Sequence, residues 1–466
     1  MIWLKLFAPR TAAKSSPRAT PPQAASWRMT GLSVAAVVVA FLAQASAAQA
    51  VNIKSVKSPA GITFWMVQDA SVPLVALQFS FEGGSAQDPD GKPGTANMAA
   101  SLLDEGAGDL SSEAFHERLA DKSIEMQFQV SHNYLRGTIR TLKENQDEAF
   151  HLLQLSLNAP RFDAPDVARI RGQLMSLLNR ESTSPNYIAR RTWWAAAYAG
   201  HPYANPTYGT LKSAPTITVD DLRAYVKAIF ARDHLKIGIV GDIDPETAGK
   251  YVDEVFAKLP VEADLRSIPE AAPKGMGRRI VVPLDVPQAV VNFGGNGIPR
   301  HDPDFYAGYI LNDILGGSSF SARLNREVRV KRGLAYGIYS SLVWLKGTAL
   351  LFGTTATRAD RTKETLDVTA DVMKTLAADG PTQAELDESK SYLKGSYALG
   401  LDTSTKIAAQ LVQIQLDNLG IDYIEKRGAL IDAVTLDDTK RVAKRLLNGG
   451  MLTVVVGKPQ GVASSQ

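Results

Sequence analysis

The chain carries one unit twice, which restricts it to folds that can be built from two similar halves. Thr218-Val219-Asp220-Asp221 opens a helical stripe of Leu222, Tyr225, Val226, Ile229 and Phe230, followed by a β-branched run ending at Gly241. Thr435-Leu436-Asp437-Asp438 opens a second such helix, followed by a run ending at Gly457. Threonine followed, one residue on, by two aspartates is a helix start. The copies lie about 217 residues apart, the scale of a duplicated domain and not of a solenoid repeat. Earlier segments agree. Residues 74–81 and 289–293 read as matching strands, each followed by a polar loop (Asp88-Pro89-Asp90 and Asp302-Pro303-Asp304) and a helix. Helical patterns recur at 145–157 and 362–376. Strands come in runs and helices in runs, so the class is α+β: two duplicated domains, each a mostly antiparallel sheet with helices on one face. The Pro-, Ala- and charge-rich stretch before residue 280 reads as a linker. The expected organisation is 51–262, linker 263–279, and 280–460.

Residues 1–50 are set apart. They hold five of the 51 basic residues and none of the 48 acids, so the formal charge of +3 belongs to this segment and the rest is slightly acidic. Nothing in that balance calls for nucleic acid or an anionic membrane surface. A basic stretch to Arg28, an apolar run at 32–42 and Ala48-Gln49-Ala50 form the pattern of a cleaved export signal. The run is too short for a comfortable membrane span, so no stable insertion is expected. The alternative is an uncleaved N-terminal anchor, and Met29 is an alternative start. The absence of cysteine excludes a disulfide scaffold, a thiolate zinc site and a cysteine nucleophile.

Several ordered motifs resemble the pitrilysin/insulinase (inverzincin) zinc peptidases. Phe81-Glu82-Gly83-Gly84-Ser85 is similar to a strand end of that family, and Gly94-Thr95-Ala96 to the start of its metal-binding helix. His201-Pro202-Tyr203 with Tyr208-Gly209-Thr210 is similar to a loop of its smaller members. In the second half, Gly316-Gly317-Ser318-Ser319 and Ser321-Ala322-Arg323-Leu324 precede Val328-Arg329-Val330-Lys331-Arg332-Gly333-Leu334-Ala335-Tyr336, the most specific of the matches. The resemblance implies a half-clamshell of two domains.

It also shows what is missing. Active members carry H-x-x-E-H on a helix, with two histidines on one face binding zinc and the glutamate activating water. Here Asn97 and Ser101 stand where the histidines would, Ala100 where the base would, and Leu177 where a distal glutamate ligand would. The six histidines (116, 132, 151, 201, 234 and 301) offer no pair at helical ligand spacing. His116-Glu117 reads as a solvated pair on the helix 112–122, and His201 as a structural loop residue. No metal or other cofactor is therefore expected in this chain.

The family's zinc-free half supplies an arginine and a tyrosine seven residues apart, and the resemblance places that pair at Arg329 and Tyr336, with Arg332 as the alternative arginine. Their implied task is to donate hydrogen bonds to the oxyanion formed during amide hydrolysis. The glycines at 316–317 read first as a structural turn. The sequence thus points to the non-zinc subunit of a periplasmic two-chain metallopeptidase. It would be inactive alone and would pair with a zinc-bearing subunit, which holds the zinc, around peptide substrates. The rival is an inert periplasmic scaffold or peptide-binding module.

Overall fold

The computed structural model describes residues 52–317 and 320–465. The export pattern at 1–50 and the serines Ser318 and Ser319 lie outside the described residues.

The first half contains β1 (Lys54–Lys57), β2 (Thr63–Gln68), β3 (Leu74–Glu82), α1 (Thr95–Ala100), α2 (Ser112–Asp121), β4 (Glu125–Val130), β5 (Tyr134–Leu142), α3 (Gln146–Asn158), α4 (Ala164–Ser182), α5 (Pro185–Ala197), α6 (Val219–Ile229), β6 (Lys236–Gly241) and α7 (Pro245–Phe256). The second half contains β7 (Arg279–Val282), β8 (Gln288–Asn296), α8 (Phe305–Gly316), a π-helical turn (Asn325–Val330), β9 (Ala335–Leu345), β10 (Thr348–Arg358), α9 (Thr362–Asp379), α10 (Gln383–Leu399), α11 (Ser404–Leu416), α12 (Tyr423–Asp432), α13 (Leu436–Leu447) and β11 (Leu452–Val456).

The sheets run β1-β2-β6-β3-β5-β4 and β7-β11-β8-β10-β9. Setting β1 aside, the two orders superpose strand for strand. Each sheet has one parallel pair, β2 with β6 and β7 with β11, and is otherwise antiparallel. The duplication extends to side chains. Phe79 on β3 lies over Gly137 on β5, and Phe293 on β8 lies over Gly353 on β10. A ring covering a cross-strand glycine fills the space left by the missing side chain. The helices α6 and α13 open with the same capping box. Thr218 and Asp221, and Thr435 and Asp438, each exchange hydrogen bonds between side chain and backbone. Such a box satisfies two otherwise orphaned N–H donors.

Each half packs helices of its own against one face of its sheet. The opposite face is closed by a helix from the other half, which the sequence did not disclose. Helix α5 of the first half lies on β8 and β11, and α11 of the second lies on β3 and β6. Trp193 on α5 is fully buried. Its indole N–H donates to Leu452 O at 3.0 Å, and its ring leaves no room for a side chain at Gly294. In the reciprocal contact, Gln415 Nε2 donates to Ile237 O at 2.9 Å, while Ala408 and Leu411 press on Gly238. A strand glycine marks such a close approach.

Residues 257–278, without helix or strand, are bound down along their length. Arg266 N and O exchange hydrogen bonds with the Gln87 amide, Ala271 N donates to Gly347 O, and Lys274 N donates to Ala197 O. His201 fixes the middle: Nε2–H donates to Pro269 O at 2.9 Å and Nδ1 accepts from Tyr203 N at 3.1 Å. That pattern defines one neutral tautomer and a structural role. Nearby, the His132 ring lies 5.1 Å from Trp194 and 5.4 Å from Tyr203. Burial pushes its pKa down to about 4. Among the described residues no helix is long and apolar enough to cross a membrane.

Two expectations follow. Because each sheet needs the other half's helix, the chain should unfold in a single transition. Trp193→Ala should lower its stability by about 4 kcal/mol in urea titration, the usual cost of emptying a buried tryptophan site. Separate transitions for the two halves in the unaltered chain would contradict this. The neutral His132 contributes stability that is fully present above the unfolded pKa near 6.5 and is lost as pH falls toward 4. His132→Gln should flatten that acid limb in urea midpoints measured across pH, and superimposable profiles would refute the assignment.

Candidate functional site

Helix α1 is anchored at its start. Gly94 adopts φ +99°, and a Cβ there would strike Tyr208 O and Gly209. Ser213 Oγ donates to Pro93 O at 2.7 Å, so the loop after α5 clamps the helix entrance. The Asp88 carboxylate accepts from Gly94 N and Ala96 N, both at 2.7 Å, doing the work of a capping side chain. Burial pushes its pKa up to about 7 against those two hydrogen bonds and the Arg266 charge.

The helix stops after six residues, with Ser101 as its C-terminal cap. Asn97 is half-buried, Ser101 is exposed and its hydroxyl donates to Asn97 O at 3.0 Å, and Ala100 is buried. Leu177 on α4 packs into a small apolar cluster with Leu174, Leu178 and Ala214. An amide, a methyl, a hydroxyl and an isobutyl group do not form a zinc-binding set. Among the described residues, no three His, Cys, Asp or Glu side chains are placed to hold a metal.

Just beyond α1, Glu105 gathers Arg169, Ser112 and, at 3.2 Å, His116 Nε2. Burial alone would raise the Glu105 pKa, but the hydrogen bonds from Arg169 and Ser112 outweigh it and the pKa is lowered. His116, read from sequence with Glu117 as a solvated pair, is exposed and has Glu105 as its partner across the turn that joins α1 to α2.

In the second half the structure brings Arg329 and Tyr336 together. Arg329 sits on the π-helical turn, whose extra residue per turn re-aims side chains and recurs at functional sites. Its guanidinium lies 4.6 Å from the ring centres of both Tyr336 and Phe320. Tyr336, at the start of the edge strand β9, is 84% exposed, and Phe320 is 64% exposed. No carboxylate pairs with Arg329 among the described residues. Arg332 is committed elsewhere: Nη1 donates to Glu327 O at 2.9 Å and to Glu327 Oε2 at 2.7 Å. Lys331 and Arg332 together hold the Glu327 carboxyl at about 2. Of the two candidate arginines, only Arg329 is unpaired. Behind the turn, Arg323 forms a bidentate pair with Glu385 at 2.8 and 2.7 Å, fastening it to α10.

Phe320 was not singled out by sequence. Its signal was a lone aromatic following a Gly-Gly-Ser-Ser run. The arrangement presents a guanidinium and a phenol side by side, facing solvent, with donors free for an anionic or carbonyl oxygen.

Comparison with known proteins gives one answer. The model of the insulinase peptidases (peptidase family M16) matches residues 64–211, and that of the M16 inactive domain matches 216–393. A Helicobacter pylori protein named non-peptidase homolog YmxG is 27% identical over 333 residues, covering 71% of this chain and 77% of that one. The mitochondrial-processing peptidase subunit beta of Lentinula edodes is 22% identical over 384 residues, covering 78% of this chain and 81% of that one. A crystal structure of an M16 inactive domain from Pseudomonas fluorescens matches with a TM-score of 0.82 at 28% identity, covering 89% of this chain and 99% of that one. The chain belongs to the insulinase (M16) peptidase family and is a member without the H-x-x-E-H zinc motif.

Proposed function

We propose that this chain is the zinc-free subunit of a two-chain periplasmic peptidase, lending Arg329 and Tyr336 and half of the peptide chamber to a zinc-bearing partner. One observation carries the reading. The one candidate arginine without a carboxylate partner among the described residues lies 4.6 Å from the centres of two exposed rings, one of them the tyrosine seven residues on. A solvated surface arginine has no need of a π-helical turn and an aromatic clamp. The blank positions Asn97, Ala100, Ser101 and Leu177 require that any zinc come from the other chain.

The chemistry asked of this chain is limited. As the amide of a bound peptide is attacked, negative charge builds on its carbonyl oxygen. The Tyr336 hydroxyl and the Arg329 guanidinium donate to that oxygen more strongly in the transition state than in the ground state. The rings of Phe320 and Tyr336 hold the guanidinium in place without neutralising it. The relative from Lentinula edodes is by name a subunit, which supports a paired role. The Helicobacter pylori name, non-peptidase homolog, supports the second reading, a catalytically inert scaffold or peptide-binding module in the same compartment.

The purified mature chain should hold less than one zinc per molecule and cleave no peptide. Mixed with an H-x-x-E-H-bearing relative from the same cell, it should. Tyr336→Phe should leave assembly intact and slow the complex about a hundredfold, the usual cost of one oxyanion donor. Arg329→Ala should cost at least as much. Full activity with both residues changed would reduce the pair to structure and favour the scaffold.

A further inference from the structure

The chain holds two Asn-Gly pairs, Asn296-Gly297 and Asn448-Gly449. Glycine in that place has a chemical consequence. Lacking a Cβ, it lets the backbone turn the glycine nitrogen onto the asparagine side chain. The fold decides whether this happens, through two conditions. The glycine N–H must not be committed to a hydrogen bond, and the backbone must be able to swing.

Both asparagines are exposed, so access to solvent does not separate them. The backbone does. Asn296 ends β8 and pairs with Leu350 on β10. Gly297 N donates to Ala349 O at 2.9 Å, and a Cβ on Gly297 would strike the Leu350 backbone. Both residues of that pair are therefore held by β10.

Asn448 caps the C-terminus of α13, its own N–H donating to Lys444 O at 3.3 Å. The regular hydrogen bonding ends there. Among the described residues Gly449 N donates to no acceptor, and the Asn448 side-chain amide has no hydrogen-bond partner. Gly449 has open space where a side chain would stand, and Gly450 follows with φ +73°. An exposed Gly-Gly run after a helix end opens locally at little cost. Electrostatics favour the same site. Asn448 lines a cleft whose charged residues are Arg278, Arg279 and Lys374, with no acidic residue on the wall. Attack on the side-chain amide builds negative charge on Asn448 Oδ1, which neighbouring cations stabilise.

We infer that Asn448 is a self-modification site of this chain, where the backbone converts the asparagine to isoaspartate or aspartate. Gly449 N–H gives its proton to solvent, and the nitrogen bonds to Asn448 Cγ. The Cγ–Nδ2 bond breaks, ammonia leaves with a proton taken from solvent, and a cyclic succinimide closes. Water then opens the ring at either carbonyl, giving isoaspartate or aspartate. The net change is an amide and water to a carboxylate and ammonium, with no oxidant or second protein. The product sets a carboxylate in a cleft whose own charges are all positive. Isoaspartate also adds a methylene to the backbone between α13 and β11. The site is separate from the Arg329–Tyr336 pair and does not depend on the peptidase reading.

The test is incubation of the whole mature chain at mildly alkaline pH, followed by peptide mapping by mass spectrometry against an unincubated sample. Enzymatic methylation of isoaspartate identifies the rearranged product. In the folded chain Asn448 should convert about tenfold faster than Asn296, or more, because only its glycine N–H is free. In the chain unfolded in guanidinium the two should convert at similar rates. Gly449→Ala, whose methyl would meet no neighbour, should slow conversion of Asn448 about tenfold, with circular dichroism verifying the fold. Lys374→Met should slow it severalfold in the folded chain and not in the unfolded one. The inference is overturned if Asn448 stays intact in the folded chain while the unfolded chain converts, if Asn296 converts as fast, or if folded Gly449→Ala converts like the unaltered chain. An unchanged rate in Lys374→Met would overturn its electrostatic part.

Discussion

The indole of Trp193 crosses from a helix of the first half into the sheet of the second, donates to Leu452 O and fills the space over Gly294. Helix α11 makes the return crossing to Gly238 and Ile237. Without this exchange each sheet would expose an apolar face, since its own helices cover only the other. Two duplicated domains joined by a linker would ordinarily be free to move against each other. Here the exchange and the bound-down segment 257–278 make one body of them. The loop holding α1 and the strand holding Tyr336 therefore belong to one body, each backed by the core of its own half.

The contrast between the halves is electrostatic as much as sequence-based. In the first half the charged groups near α1 are satisfied internally: Glu105 by Arg169 and Ser112, Asp88 by backbone N–H groups. In the second half Lys331 and Arg332 are spent on Glu327, and Arg323 on Glu385. Arg329 alone on the turn has rings for neighbours and no counter-charge among the described residues. A guanidinium kept unpaired at the surface beside an exposed phenol is available to a ligand, whereas one locked to a carboxylate is not.

Much of this could be read from the residues. The two Thr-x-x-Asp starts, the β-branched strands ending in Gly241 and Gly457, and the ordered family motifs fix the duplication and its sheets, because caps and period are local properties. That Asn97, Ala100, Ser101 and Leu177 carry no zinc-binding set is legible for the same reason. The exchange of α5 and α11 is not. An apolar stripe says that a helix is buried but not against which sheet, and the only hints were glycines within strands, at 238 and 294. The pairing of His116 with Glu105 depends on how the chain turns after Ala100, where α1 stops short. The aromatic contact needs Phe320 and Tyr336 to reach one guanidinium, a relation that sequence spacing does not encode.

The central claim is that the face around Arg329 meets the zinc-bearing chain of a pair. A photo-crosslinking residue placed at Phe320, which is exposed and outside the proposed donor pair, tests it directly. On irradiation of the assembled proteins, mass spectrometry should locate the crosslink on the partner, at or next to its H-x-x-E-H helix. Crosslinks confined to this chain, or to a partner surface remote from that helix, would contradict the account.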